Sequence, residues 1–230
     1  LHLFSGILIG TSYIPFPPWA LAFCYAPLWL WTLRLMSSET PSRSLGWKVF
    51  RGGWIAQFIL SIIGFHWIAY VSHEFGFMPW AAAVPVLFAF AALMHLYVPV
   101  SLWLGYWLGN KLNLKPGATL LTWAILLTLG EMDWPSIFPW NMGYPLFWAH
   151  LPWAQWADVV GFQGLSFLVY TLNAAIVMIW LHREAGRKKP AKVFASAILL
   201  ILALTWYGGL SKQEQWQHPD AVGQTLVVQA

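Results

Sequence analysis

Few side chains in this sequence could do chemistry, and most of those lie in or beside apolar runs. Glu131 and Asp133 stand two residues apart where the apolar run 118–130 ends. A carboxylate at membrane depth is costly and is often kept for function; the plainer role is to cap a helix end in the headgroup layer. His66 and His73 are seven apart, two helical turns on one face, with Glu74 beside the second. His95 or Glu131 could add a third ligand. Dedicated metal motifs are tighter and denser, however, so these read as interfacial polar residues and no metal is expected. Cys24 has Phe, Ala and Tyr around it and no base near it in sequence. A reactive thiolate needs an electropositive, accessible setting, so Cys24 reads as packing. Asn173, in "LVYTLNAA", is either an interhelical hydrogen bond or part of a polar cavity wall. There is no Ser/His/Asp set, phosphate-binding glycine loop or nucleic-acid motif. No catalytic residue, cofactor or nucleic-acid partner is assigned.

What must position these groups is a membrane domain. The chain has 230 residues, 59% hydrophobic and 9% charged, where soluble domains carry about 25% charged residues. No soluble core hides that much apolar surface, so the class is an all-α integral membrane protein. Eighteen tryptophans fit it, because indoles favour the bilayer interface. One cysteine leaves no internal disulfide framework and no Cys-based metal cluster. Apolar runs cover 1–14, 19–36, 52–72, 79–108, 118–130, 159–181 and 193–210, with Pro85 and Pro99 expected to kink the fourth. The first run is short of the ~20 residues a span needs and has no basic leader, so it is expected to be part of a first span. None alternates with period 2, which argues against a transmembrane barrel. The expectation is a bundle of about seven transmembrane helices over 1–210.

Charge placement orients it. Eleven of the twelve Lys and Arg fall in three alternate loops: Arg34 to Arg51, Lys111 with Lys115, and Arg183 to Lys192. Only Lys212 falls elsewhere. By the positive-inside rule those loops are cytoplasmic, so the chain is expected N-in and C-out. The outer side then receives residues 136–158, "SIFPWNMGYPLFWAHLPWAQWAD", with three prolines, four tryptophans and no Lys or Arg. That stretch is too broken for one helix and too apolar for a solvent loop. Irregular backbone at membrane depth is tolerated only where protein or water covers it. It reads as a re-entrant or interfacial segment beside a lipid-accessible cavity.

Four stretches carry a family resemblance: "GFHWIAYVSHEFGFMP" (64–79), "FPWNMGY" (138–144), "VVGFQGLSFLVYTLNA" (159–174) and the ending "QTLVVQA". Together they resemble the membrane half of apolipoprotein N-acyltransferase, an enzyme of bacterial lipoprotein maturation. The resemblance implies a multi-pass protein of the bacterial cytoplasmic (inner) membrane, functional on its periplasmic face. It implies a phospholipid acyl donor and a diacylglyceryl-lipoprotein acceptor, with transfer through a cysteine thioester. The family's Glu, Lys and Cys triad belongs to a nitrilase-like domain after the seventh span. Residues 211–230 are expected to be an outer-face tail leading into that domain's first strand, so the 230 residues alone are expected to be inactive. Cys24 does not match the family nucleophile.

On that resemblance the cavity residues are Phe138, Pro139, Trp140, Gly143, Tyr144, Glu131, Trp67 and Asn173, with positioning roles rather than bond-making ones. The alternative is a non-catalytic lipid-binding membrane protein or partner subunit without the hydrolase domain. A small-solute transporter is weaker, since no inverted repeat is visible and few ionisable residues lie inside the spans.

Overall fold

The computed structural model describes residues 1–38, 41–138 and 140–217, and the expected strand after 217 lies outside them. Among the described residues the chain is helical, with no strand. The helices are α1 (His2–Gly10), α2 (Ala26–Ser38), α3 (Arg43–Gly64), α4 (Trp67–Glu74), α5 (Trp80–Leu93), α6 (Tyr97–Lys111), α7 (Pro116–Asp133), α8 (Tyr144–Trp148), α9 (Ala157–Glu184) and α10 (Lys188–Gln217). A 3-10 turn, Pro152–Trp156, leads into α9.

Helix ends follow local chemistry. Ser42 caps α3, its hydroxyl accepting the Leu45 N–H at 3.1 Å. Pro116 starts α7 in the first-turn position that suits proline. That helix stops at Asp133 because Trp134 precedes Pro135 and is extended (ψ 128°). Pro99 explains the break between α5 and α6. A proline ring clashes with the carbonyl four residues earlier, here His95, and the chain leaves the helix between Leu93 and Tyr97. Pro85 lies inside α5, which continues through it.

Among the described residues three stretches are long and apolar enough to cross a membrane: Trp80–Lys111, Pro152–Glu184 and Lys188–Gln215. Arg43–Gly64 with Trp67–Glu74, bent by 53°, makes a fourth if the pair is one span. Seven were expected. The difference lies in α1, α2 and α7. Prolines 15, 17 and 18 keep residues 11–25 in turns, so α2 begins seven residues later than its apolar run. Its 13 residues rise about 20 Å against a hydrocarbon core of about 30 Å. The 18 residues of α7 end in Glu131 and Asp133.

Neighbours pack in series: α1 on α3, α3 on α6, α6 on α7, α7 on α9, and α9 on α10. The centre is aromatic, with Tyr25, Trp29, Trp123 and Tyr170 fully buried. Trp29 and Trp123 rings are 6.1 Å apart, and Trp123 Nε1 donates to the Leu102 carbonyl at 3.1 Å. By contrast α10 buries almost none of its apolar stretch. Just past its midpoint it is held by indoles of the 3-10 turn. Trp153 Nε1 donates to Thr205 Oγ1 (3.0 Å), and Trp156 Nε1 to the Thr205 carbonyl (2.8 Å). Lys212 Nζ reaches Asp158 Oδ2 at 2.6 Å. The one basic residue outside the three basic loops is thus paired with an acid.

Candidate functional site

The described residues of the 136–158 segment are broken, as the prolines lead one to expect, into turns, the short α8 and the 3-10 turn. Two polar side chains, one of them held by a third, fasten the segment from below. Glu131, in the last turn of α7, accepts two hydrogen bonds on Oε1. One comes from the Met142 N–H (3.0 Å) and one from the Tyr170 hydroxyl of α9 (2.5 Å). The next backbone N–H, Gly143, donates to Ser166 Oγ at 2.9 Å. Two successive amides of an irregular stretch are therefore satisfied by side chains of two flanking helices, as buried irregular backbone requires. Glu131 Oε2 is buried without a hydrogen-bond partner among the described residues.

Gly143 lies tight against α9. A Cβ there would stand 2.6 Å from Leu165 Cβ and 2.7 Å from the Phe162 carbonyl oxygen. Only glycine lets the segment approach so closely. Opposite it, α9 is interrupted at Gly161 (φ 68°, ψ 175°), a conformation open to glycine alone. The helix thereby turns its first residues away from the line of the main span.

The aromatic residues divide into an inner and an outer set. Trp140 is 3% exposed and meets Tyr13, His95 and Phe65 edge-on, with centroids 4.6, 4.7 and 5.9 Å away. Such pairs add about 0.5–1.5 kcal/mol each beyond their area. His95 is itself oriented by Ser61 Oγ, 2.8 Å from Nδ1. Phe138 is 40% exposed and rests on Trp67 at 5.2 Å. Tyr144 packs on Phe162 at 4.5 Å. Pro139 lies outside the described residues.

Asn173 is fully buried and resolves the choice left open by the sequence in favour of a hydrogen bond between elements. Its Oδ1 accepts the Tyr25 N–H (2.8 Å), and its Nδ2 donates to the carbonyls of Leu21 and Val169 (2.9 Å each). It pins α9 to the turns before α2. The histidines serve local backbone. His66 Nδ1 lies 2.8 Å from the Ile63 carbonyl and His73 Nδ1 2.6 Å from that of Met78, with the His73 ring stacked on Trp80. Among the described residues no three of His, Cys, Asp and Glu gather as metal ligands. Cys24 is buried, its Sγ 3.5 Å from the Leu21 carbonyl.

Ser166 and Tyr170 were not singled out from the sequence. With Asn173 they fall at i, i+4 and i+7 on one face of α9, all buried, a polar stripe in an apolar helix. That spacing was the available signal. Beside the segment lies an apolar hollow of about 190 Å³, walled by Leu146, Leu151 and Trp153 of the segment and by Pro18, Ala22 and Leu202 among others.

The fold and this site define a class: a multi-helix membrane domain that carries a proline- and tryptophan-rich segment anchored on a carboxylate. Residues 5–175 match the family model described as the apolipoprotein N-acyltransferase N-terminal domain. The chain is 44% identical over 99% of its length to the apolipoprotein N-acyltransferase of Bdellovibrio bacteriovorus, covering 40% of that protein. It is 29% identical over 89% of its length to the Geobacter metallireducens protein of the same name, covering 37% of it. It is 27% identical over 76% to apolipoprotein N-acyltransferase 2 of Leptospira interrogans, covering 30%. The chain belongs to the apolipoprotein N-acyltransferase family and spans about 40% or less of the length of these relatives.

Proposed function

We propose that this chain is the membrane part of an apolipoprotein N-acyltransferase. Its outer segment forms one wall of the lipid-accessible cavity through which acyl chains approach the site of transfer. The donor is a phospholipid, and the acceptor is the free amine of a diacylglyceryl-cysteine on a lipoprotein. The domain lies in the bacterial inner membrane, N-in and C-out, with seven spans: α1, α2, the bent pair α3 and α4, α5 with α6, α7, α9 and α10. The placement of basic residues at the α2–α3, α6–α7 and α9–α10 connections supports that orientation.

The observation that carries the reading is the fastened segment with an apolar hollow along it. Glu131 and Gly143 fasten this wall, Phe138, Trp140, Tyr144 and Trp67 pack it, and Asn173 fixes α9 behind it; its lipid-facing surface comes from Leu146, Leu151 and Trp153. The role is positioning of acyl chains. Bond-making does not fall to Cys24, which is buried against the Leu21 carbonyl.

The test is acylation in cells depleted of their own N-acyltransferase and supplied with the complete reading frame that encodes this chain. Mass spectrometry of a reporter lipoprotein reads conversion from two acyl chains to three. Ala22→Trp, which fills the hollow from the wall opposite the segment, is expected to slow conversion. Full conversion by that variant would remove the hollow from the acyl path. Phospholipid retention without any conversion by the unaltered frame would favour a lipid-binding partner subunit instead.

A further inference from the structure

At the opposite end of the bundle from the outer segment, the start of α3 and the end of α6 enclose two adjoining hollows. The first, about 520 Å³, is lined by Arg43, Lys111, Asn110, Trp103 and Trp107 with the Ser42 turn. The second, about 620 Å³, is lined by Arg43, Trp47, Phe50, Val100 and Trp103. Arg43 and Trp103 belong to both. A cationic, hydrogen-bonding chamber thus opens sideways into an apolar groove along the same two helices, an arrangement matched to an amphiphile.

The polar chamber is held in shape before any ligand arrives. Tyr106 Oη donates to the Ser42 carbonyl and accepts the Ser42 N–H, both at 3.2 Å, locking the α3 cap onto α6. Lys111 Nζ sits 4.7 Å above the Trp107 ring. Asn110 Nδ2 donates to the Tyr106 carbonyl, which leaves Oδ1 as an acceptor. No acidic side chain lines either hollow among the described residues, and Arg43 and Lys111 form no ion pair among them. Trp47, Trp103 and Trp107 are each about half exposed, as expected of indoles at the bilayer interface.

We infer that these hollows are a binding site for an anionic phospholipid of the leaflet at this end. Its phosphate sits between Arg43 and Lys111, and one acyl chain lies along Phe50 and Val100. Basic pockets between membrane helices select anionic head groups by charge, and an arginine fork adds directed hydrogen bonds to phosphate oxygens. Asn110 Oδ1 accepts from a headgroup hydroxyl, such as that of a glycerol headgroup. The site is separate from the outer wall, and it stands or falls independently of the acyl-transfer reading.

The test uses the whole chain, purified in detergent, stripped of lipid and titrated with phosphatidylglycerol or phosphatidylcholine. Native mass spectrometry counts retained lipid. Phosphatidylglycerol is expected to bind at least tenfold tighter than phosphatidylcholine. Arg43→Gln with Lys111→Gln should erase that preference, while Arg183→Gln with Lys188→Gln, an equal loss of charge in another basic loop, should keep it. Val100→Trp fills the groove with both cations intact and should weaken binding of both lipids. Equal binding of the two lipids, or equal loss in both charge variants, would overturn the site. So would unchanged binding in Val100→Trp, or displacement of the lipid by millimolar inorganic phosphate, which would mark a phosphate site rather than a lipid one.

Discussion

Removing the Glu131 carboxylate should release the outer segment, and the size of the effect follows from its bonds. Glu131→Ala leaves the Met142 N–H and the Tyr170 hydroxyl without their acceptor. Only the Met142 bond ties the segment to the carboxylate, so at ~1 kcal/mol per lost hydrogen bond its loss shifts the local opening equilibrium about fivefold, while the lost Tyr170 bond loosens α9 from α7 by a similar amount. Glu131→Gln keeps a carbonyl oxygen that can take both donors, and Tyr170→Phe removes one donor only. The expected order of damage is therefore Ala first, Phe at 170 second, and Gln least. Hydrogen exchange at the Met142 amide reads the opening directly. A roughly fivefold faster exchange is expected in the Ala variant, a smaller increase in Tyr170→Phe, where the carboxylate is less firmly oriented, and little change in the Gln variant. Gln exchanging as fast as Ala would show that charge, not acceptor geometry, holds the segment. Unaltered exchange in the Ala variant would refute the clamp altogether.

Gly143→Ala places a methyl 2.6 Å from Leu165 Cβ, so thermal unfolding in detergent should show a loss of about 1–3 kcal/mol, as overpacking does. Asn173→Leu strands the Tyr25 N–H and removes a donor from the Leu21 carbonyl. A comparable loss of ~2 kcal/mol is expected, and an unchanged midpoint would discount the staple. The Lys212–Asp158 pair is partly exposed, so Lys212→Ala should cost at most about 1 kcal/mol, less in high salt. For orientation, a membrane-impermeant maleimide should label Phe77→Cys, a site 91% exposed, in intact cells stripped of their outer membrane. Ser38→Cys should label only after lysis, and labelling of both from outside would reverse the orientation assigned to one of them.

Much of this architecture is written in spacing and in proline. The apolar runs locate α3, α5 with α6, α7, α9 and α10, and the prolines of 136–158 mark a long broken stretch. Break points were less legible. Pro99 was readable as a kink, but its effect falls at His95, because the clash is with the carbonyl one turn back. The bend at Phe65 has no proline; it appears where α3 ends at Gly64 and the indole of Trp67 turns toward Phe138. At the site, Glu131 stood out because an acid in an apolar run is conspicuous. Ser166 and Tyr170 did not, since both are common in membrane helices. Their meaning depends on what lies across the helix interface, and sequence spacing does not report that. Asn173 was legible as a hydrogen-bonding residue, while its partners, backbone atoms some 150 positions away, were not.

The indole bonds between the 3-10 turn and Thr205 have a mechanical consequence. Because α10 lies almost bare along its apolar length, it depends on two sets of attachments: the turn around Gly186 that joins it to α9, and the bonds of Trp153, Trp156 and Asp158 past its midpoint. A helix of 30 residues so attached behaves as a spar pinned at one end and at the middle, and cutting the two indole bonds would leave the Gly186 turn to hold most of its length.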